Sequence, residues 1–273
     1  MKSVGIALGG GGARGLCHIQ FLKTLDEMNI KPTIISGTSI GAIIGAFYAA
    51  GLSGLKIEEI LNNLNLLDYG KFFDFTLFSN TGIIKGNAFE NFIAKHLPVD
   101  KFEDLAIPLK IVATNFWKRE QVVFDSGYII PAIRASISVP GIFDPVKIND
   151  VVLTDGGATN PVPFDIIADK CDINIAIDVS GKANPKSKSK IPSISECVLT
   201  SFHIMEKAVV ENKMKLVKPD IFIKPNLYDI QLMEFHKSKE ILKSVEPNLN
   251  LFKDLLNEKI YPKKKYFNFM HKK

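Results

Sequence analysis

Cysteine is scarce in this chain of 273 residues: Cys17, Cys171 and Cys197 are the full set. Three thiols with no C-x-x-C spacing exclude a disulfide framework. Five scattered histidines add no structural zinc pattern, so no metal and no metal cofactor is expected. Reduced thiols fit a cytoplasmic setting. A basic body is also missing. The net charge is +5, but 262–273 holds five lysines and no acid, which leaves 1–261 at zero. No basic stripe remains to pair with phosphates, so nucleic acid is not the expected partner. No export leader is expected either: the first apolar run, Val4 to Leu8, is short and ends in glycines. Arginine is the scarcest cation, three against thirty-one lysines.

One long stretch lacks charge altogether. Pro32 to Leu55 is long enough to cross a bilayer, and Gly41 and Gly45 form G-x-x-x-G. Its glycines, serines and threonines gain little from lipid. A buried strand, a tight turn and a buried helix account for it better.

Around that stretch the apolar spacing alternates between element types. Val4 to Leu8 reads as a buried strand, Gly15 to Met28 as an amphipathic helix and Thr33 to Ser36 as a second strand. Ile40 to Ala50 is a helix buried on most faces, and Lys56 to Leu64 a further helix. This order predicts an α/β fold with a parallel-rich central sheet flanked by helices. Further strands are expected at 109–114, 121–124, 151–153, 173–179 and 221–223. Helices are expected at 163–170, at 193–216 (capped by Ser193 or Ser195) and beyond Met233. Residues 181–190, with four lysines, read as an exposed loop. No repeat or linker divides the chain. A single domain over 1–260 is expected, its motif-bearing part about 4–180, followed by a basic aromatic tail at 261–273.

Three motifs carry chemistry. In the run Gly9 to Gly15, Gly10, Gly12 and Gly15 satisfy G-x-G-x-x-G. A dinucleotide site also needs an acid at the end of the second strand, and Ile34-Ile35-Ser36-Gly37 offers none, so no nucleotide cofactor is expected. The glycines still supply bare N–H groups at a helix start, which suit a phosphate or a transient oxyanion. Gly37-Thr38-Ser39-Ile40-Gly41 is G-x-S-x-G between strand and helix, the setting of a nucleophilic serine on a sharp turn. Ser39 as an ordinary helix cap is the plainer alternative. Only one strand-helix unit precedes Ser39, unlike an ordinary α/β-hydrolase. His203 and His236 fall in lysine-bearing helical segments that read as solvent-facing, so another base is needed. Asp155-Gly156-Gly157 presents a carboxylate at a strand end; a turn aspartate binding its own backbone is the alternative.

Together and in this order, these motifs resemble the patatin-like phospholipase family, in particular its compact bacterial members. Arg134-Ala135-Ser136-Ile137-Ser138-Val139-Pro140-Gly141-Ile142-Phe143-Asp144-Pro145 and the Asn160-Pro161 that follows Gly157 belong to the same resemblance, which covers about the first two-thirds of the chain. It implies a three-layer α/β hydrolase with a Ser-Asp dyad and no histidine. Ser39 would be the nucleophile and Asp155 the general base. Gly10, Gly11 and Gly12 would supply the oxyanion hole with Arg14 beside it. Gly37 and Gly41 would shape the nucleophile elbow, and Gly156 and Gly157 the acid turn. The implied activity is lipid acyl hydrolysis of the phospholipase A or lysophospholipase type. The implied partner is a lipid or acyl-ester substrate, with peripheral contact at the inner membrane surface. Hydrolysis of small soluble esters or thioesters, and lipid binding without turnover, are the alternatives. Arg134 reads as structural. Tyr69, Phe72, Phe73, Phe75 and Phe78 suggest a lid or acyl wall, or simply core. The tail could touch anionic lipid, or be solvated.

Overall fold

The computed structural model describes residues 2–63, 86–181, 191–228 and 230–261. The aromatic segment from Leu66 to Ile84, the lysine-rich run at 182–190 and the tail from Pro262 onward lie outside the described residues.

Among the described residues the strands form one sheet. β1 (Val4–Leu8), β2 (Ile34–Thr38), β3 (Leu109–Asn115), β7 (Ile173–Ile177) and β8 (Ile221–Ile223) are parallel, in the order β3-β2-β1-β7-β8. Beyond β3 the sheet turns antiparallel. β4 (Glu120–Phe124) and β6 (Val151–Asp155) both pair with β3, and β5 (Val146–Ile148) pairs with β6. β1 and β2 are buried at every position, as expected for central strands covered on both faces. Their side chains alternate between two cores. Ile6, Leu8, Ile35 and Ile177 face the larger one, whereas Ala7, Ile34 and Ala176 face a smaller one with Phe164 and Val210.

The larger core is roofed by α1 (His18–Glu27), α2 (Ile40–Ala49), α3 (Gly54–Asn62), α4 (Asn87–His96) and α5 (Ile129–Ser136), and by α7 (Ser238–Ser244) and α8 (Glu246–Ile260). The smaller one is closed by the irregular segment 162–167 and by α6 (Ile194–Leu216). Helix, sheet and cover make the expected three layers. A capping box between Ser193 and Glu196 starts α6, so Ser193 is the cap.

The charge-free stretch is β2, a turn and α2. All ten residues of α2 are buried, and no helix among the described residues is long and apolar enough to cross a membrane. The helix expected at 163–170 is absent. Only one 3-10 turn, Asp165–Ile167, forms there. Pro161 and Pro163 break the start, and three bonds hold the backbone in an irregular course instead. Ser36 Oγ donates to Pro163 O (2.8 Å), Lys213 Nζ to Val162 O (2.5 Å), and Asn174 Nδ2 to Phe164 O (2.9 Å). The helix expected from Gly15 also differs: a 3-10 segment, Gly12–Cys17, precedes α1.

Candidate active site

β1 and β2 run side by side and end together, so the two loops that leave their C-terminal ends meet. The loop from β1 is the glycine run. Gly9 N–H donates to Ile177 O (3.0 Å), Gly10 N–H to Pro161 O (2.9 Å) and Ala13 N–H to Leu232 O (2.7 Å). Between these fixed points, the N–H groups of Gly11 and Gly12 take no backbone acceptor among the described residues. This narrows the expected set of oxyanion donors, because the Gly10 amide is already engaged. Gly10 lies against the serine turn: a Cβ there would stand 3.4 Å from Ser39 Cβ, an ordinary contact. Gly12 has φ +57°, and a side chain on it would strike the Leu232 carbonyl. His18 supports the loop from below. Its Nε2 donates to Gly9 O (2.8 Å), and full burial pulls its pKa down to about 4, so the ring is neutral.

The loop from β2 is the serine turn. Ser39 sits at φ +55°, ψ −124°, a region that side-chain-bearing residues avoid. Gly37 and Gly41 make this turn possible. A Cβ on Gly37 would meet Gly41 O at 2.5 Å, and one on Gly41 would strike Leu8 O. Ser39 N–H donates to Ser136 Oγ (2.8 Å), which ties the turn to the end of α5. No side-chain cap bond is made by Ser39, so the plain capping alternative fails.

Asp155 is the last residue of β6, opposite Ala113 of β3. It is 2% exposed. Its Oδ1 accepts from Gly157 N–H (2.6 Å), while Oδ2 is buried with no hydrogen-bond partner. Burial pushes its pKa up to about 7. The Gly157 N–H opposes that shift, the charge of Glu206 adds to it, and the Ser39 hydroxyl opposes it slightly. Ser39 therefore lies within electrostatic reach of the carboxylate. Gly156 has the Val112 carbonyl where a side chain would be, and Thr38 Oγ1 donates to Asn160 O (2.7 Å), so the acid turn is fastened to the serine strand. The turn-aspartate alternative describes Oδ1 and leaves Oδ2 unexplained.

Arg14 is buried beside the glycine loop. Nε donates to Gly11 O (3.2 Å), and Nη2 lies 3.3 Å from His203 Nε2. His203 Nδ1 in turn lies 2.7 Å from Glu206 Oε2. This corrects the expectation that His203 faces solvent: its side chain is 25% exposed and bonded at both nitrogens. His236 is exposed. Glu206 was not singled out from the sequence. Its helical position gave no signal, because its partners lie far away in the chain. Arg134 is structural, as expected. Its guanidinium donates to Ser138 Oγ (2.7 Å) and Asp144 O (3.1 Å), and it pairs with Glu90 (3.3 Å).

One apolar cavity adjoins the serine, and a second shares part of its lining. The nearer is lined by Ser39, Gly12, Ile137, Val139, Phe143 and Leu232. The deeper runs along α2 to Phe47 and Ile57. Ile40, Ile43, Phe89 and Phe235 border both.

A family model for patatin-like phospholipases matches residues 6–168. That is more than half of the chain, and the chain belongs to this family. Lysophospholipase NTE1 of Candida glabrata is 28% identical over 89% of this chain and 15% of its own length. An NTE family protein of Mycobacterium tuberculosis is 31% identical over 70% of this chain and 53% of its own. The chain thus spans less than a fifth of the yeast lysophospholipase and about half of the mycobacterial protein. Among solved structures it is similar to VipD from Legionella pneumophila (TM-score 0.44, 12% identity, 89% of this chain and 67% of that one). It is also similar to the type III effector protein ExoU (TM-score 0.47, 14% identity, 94% and 53%).

Proposed function

We propose that this protein is a serine-dependent lipid acyl hydrolase working through a Ser39–Asp155 dyad. The observation that supports it best is the buried, unpartnered Asp155 Oδ2 beside a serine held at positive φ. An acceptor lone pair kept dry and empty is costly, and it is useful where a proton must arrive. Asp155, with its pKa near 7, takes the Ser39 proton as Oγ attacks the ester carbonyl. The Gly11 and Gly12 N–H groups stabilise the oxyanion, each such donor contributing about 3 kcal/mol. The tetrahedral intermediate collapses, and Asp155 returns the proton to the departing alcohol. Water then attacks the acyl-Ser39, again with Asp155 as base.

In this reading the acyl chain lies along α2, in the cavities lined by Ile43, Phe89 and Phe235. Each leaves only a small free volume, about 30 Å³, so a long acyl chain needs the apolar lining to give way. That small volume favours a second reading, hydrolysis of short soluble acyl esters. Fatty-acid release from lysophospholipids and from soluble esters of increasing chain length separates the two. Lipid hydrolysis predicts rates that rise with chain length and vanish in Ser39→Ala. A maximum at the shortest chain supports the second reading. Peripheral contact with membranes belongs to the lipid reading, and vesicle sedimentation tests it.

A further inference from the structure

We propose that Glu206, acting with His203, is a positioning residue for this site that couples the glycine loop to the Asp155 turn. The inference rests on the Ser39–Asp155 reading and adds a device from α6, which lies beyond the residues of the family match.

Glu206 is a carboxylate with only 8% exposure, and the dyad makes no use of it. Carboxylates are seldom buried unless held, and this one is held through Oε2. Oε2 meets His203 Nδ1 at 2.7 Å. Oε1 packs against Gly157, where any Cβ would strike it; the same Cβ would lie 2.9 Å from Asp155 Oδ1. The second glycine of Asp155-Gly156-Gly157 is thus the gap through which the two carboxylates face each other. A side chain there would close it.

The hydrogen-bond direction follows from Arg14. A guanidinium only donates, so His203 Nε2 accepts from Nη2 and Nδ1 carries the proton donated to Glu206. The chain then runs without a break. Gly11 O accepts from Arg14 Nε, Arg14 donates to His203, and His203 donates to Glu206, which abuts Gly157. One end is the carbonyl next to the free N–H groups; the other is the turn that orients the base. A second clamp fixes α6 two helical turns on. Lys213 Nζ donates to Asn160 Oδ1, to Val162 O (2.5 Å) and to Asp165 Oδ1 (2.7 Å). Glu206 therefore comes from a helix fastened to the acid loop.

The pair also sets the charge around the base. Glu206 is the charged group that acts on Asp155, and it raises the proton affinity there. The other groups around the acid are the Gly157 N–H, the Ser39 hydroxyl and Thr114 Oγ1, which donates to Asp155 O (2.8 Å); all are neutral. Around Glu206 stand His203 on its own helix, Arg14 from the glycine loop and Asp155 from the end of β6. Asp178, whose field also reaches Arg14, is paired with Lys224 at 2.8 Å.

The test is the pH profile of kcat/KM on a soluble ester, with fluorophosphonate labelling alongside. Glu206→Gln keeps the shape and the acceptor but removes the charge. Its acid limb moves to lower pH by about half a unit to one unit. Glu206→Asp, which retains the charge, leaves the limb in place and lowers kcat. A carboxylate that served only the fold would change melting temperature without moving the limb, so an unmoved limb in folded Glu206→Gln overturns the proposal. Should that variant fail to fold, His203 carries the test. His203→Ala slows labelling of Ser39 about tenfold or more by loosening the loop. His203→Gln, able to accept from Arg14 and donate to Glu206, keeps most of the rate. Undiminished labelling in His203→Ala overturns the proposal. Wild-type protein that never labels at Ser39 overturns the dyad reading and this inference with it; normal wild-type labelling with an unmoved limb overturns this inference alone.

Discussion

The amide of Ser39 donates to the hydroxyl of Ser136 at 2.8 Å, so the strained serine turn hangs on a side chain 97 residues away. Ser136 is fully buried. Ser136→Ala leaves that amide without an acceptor, which costs about 1–3 kcal/mol. The turn then relaxes, and the position of Oγ is no longer fixed. A lower melting temperature together with slowed labelling of Ser39 is the expected result. A variant that melts lower but labels at the wild-type rate would show that the turn holds itself.

Strain at Ser39 has its own signature. At φ +55°, ψ −124°, glycine is at ease and alanine is not. Ser39→Gly and Ser39→Ala both lose the proposed nucleophile, yet the glycine variant is expected to be more stable than the alanine variant by about 1 kcal/mol. Paired denaturant titrations measure the difference. Equal stabilities would mean that the backbone there is unstrained.

The motifs were legible because their reasons are local. Gly37 and Gly41 follow from the crowding of one turn, β1 and α2 announce themselves by apolar runs, and β2 by the Ile34-Ile35 pair that leads into the turn. The same local signals misled at 163–170, where apolar spacing suggested a helix and the bonds from Ser36, Asn174 and Lys213 impose another course. α4 and α5 were not read from periodicity at all. His203 and Glu206 look, in sequence, like two more polar positions of a helix. Their partners Arg14 and Gly157 are 189 and 49 residues away, and only the packing of α6 on the acid turn reveals them. The narrowing of the oxyanion donors was equally out of reach, since Pro161 O is what engages Gly10.

The raised pKa of Asp155 makes stability and activity run in opposite directions with pH. The proposed base works only when ionised, so activity is expected to rise with pH along an acid limb near 7. The folded protein holds this proton up to about pH 7, while an ordinary aspartate releases it near 3.8. Between those values the folded state binds more protons than the unfolded state. The contribution of Asp155 to stability is therefore fully present below the lower value and is lost as pH rises through the upper one. Asp155→Asn, never charged, melts higher than wild type above neutral pH, and the gap closes as the pH falls toward 3.8. Melting curves across the pH range check this; a gap that is constant with pH would refute the raised pKa.

The central claim is that Asp155 activates Ser39. The most direct test is fluorophosphonate labelling of wild type, Ser39→Ala and Asp155→Asn, with the modified peptide identified by mass spectrometry. The dyad predicts an adduct on Ser39 in the wild type, none in Ser39→Ala, and a rate reduced by orders of magnitude in folded Asp155→Asn. An adduct on another residue, or labelling of Ser39 that proceeds undiminished in Asp155→Asn, would contradict it.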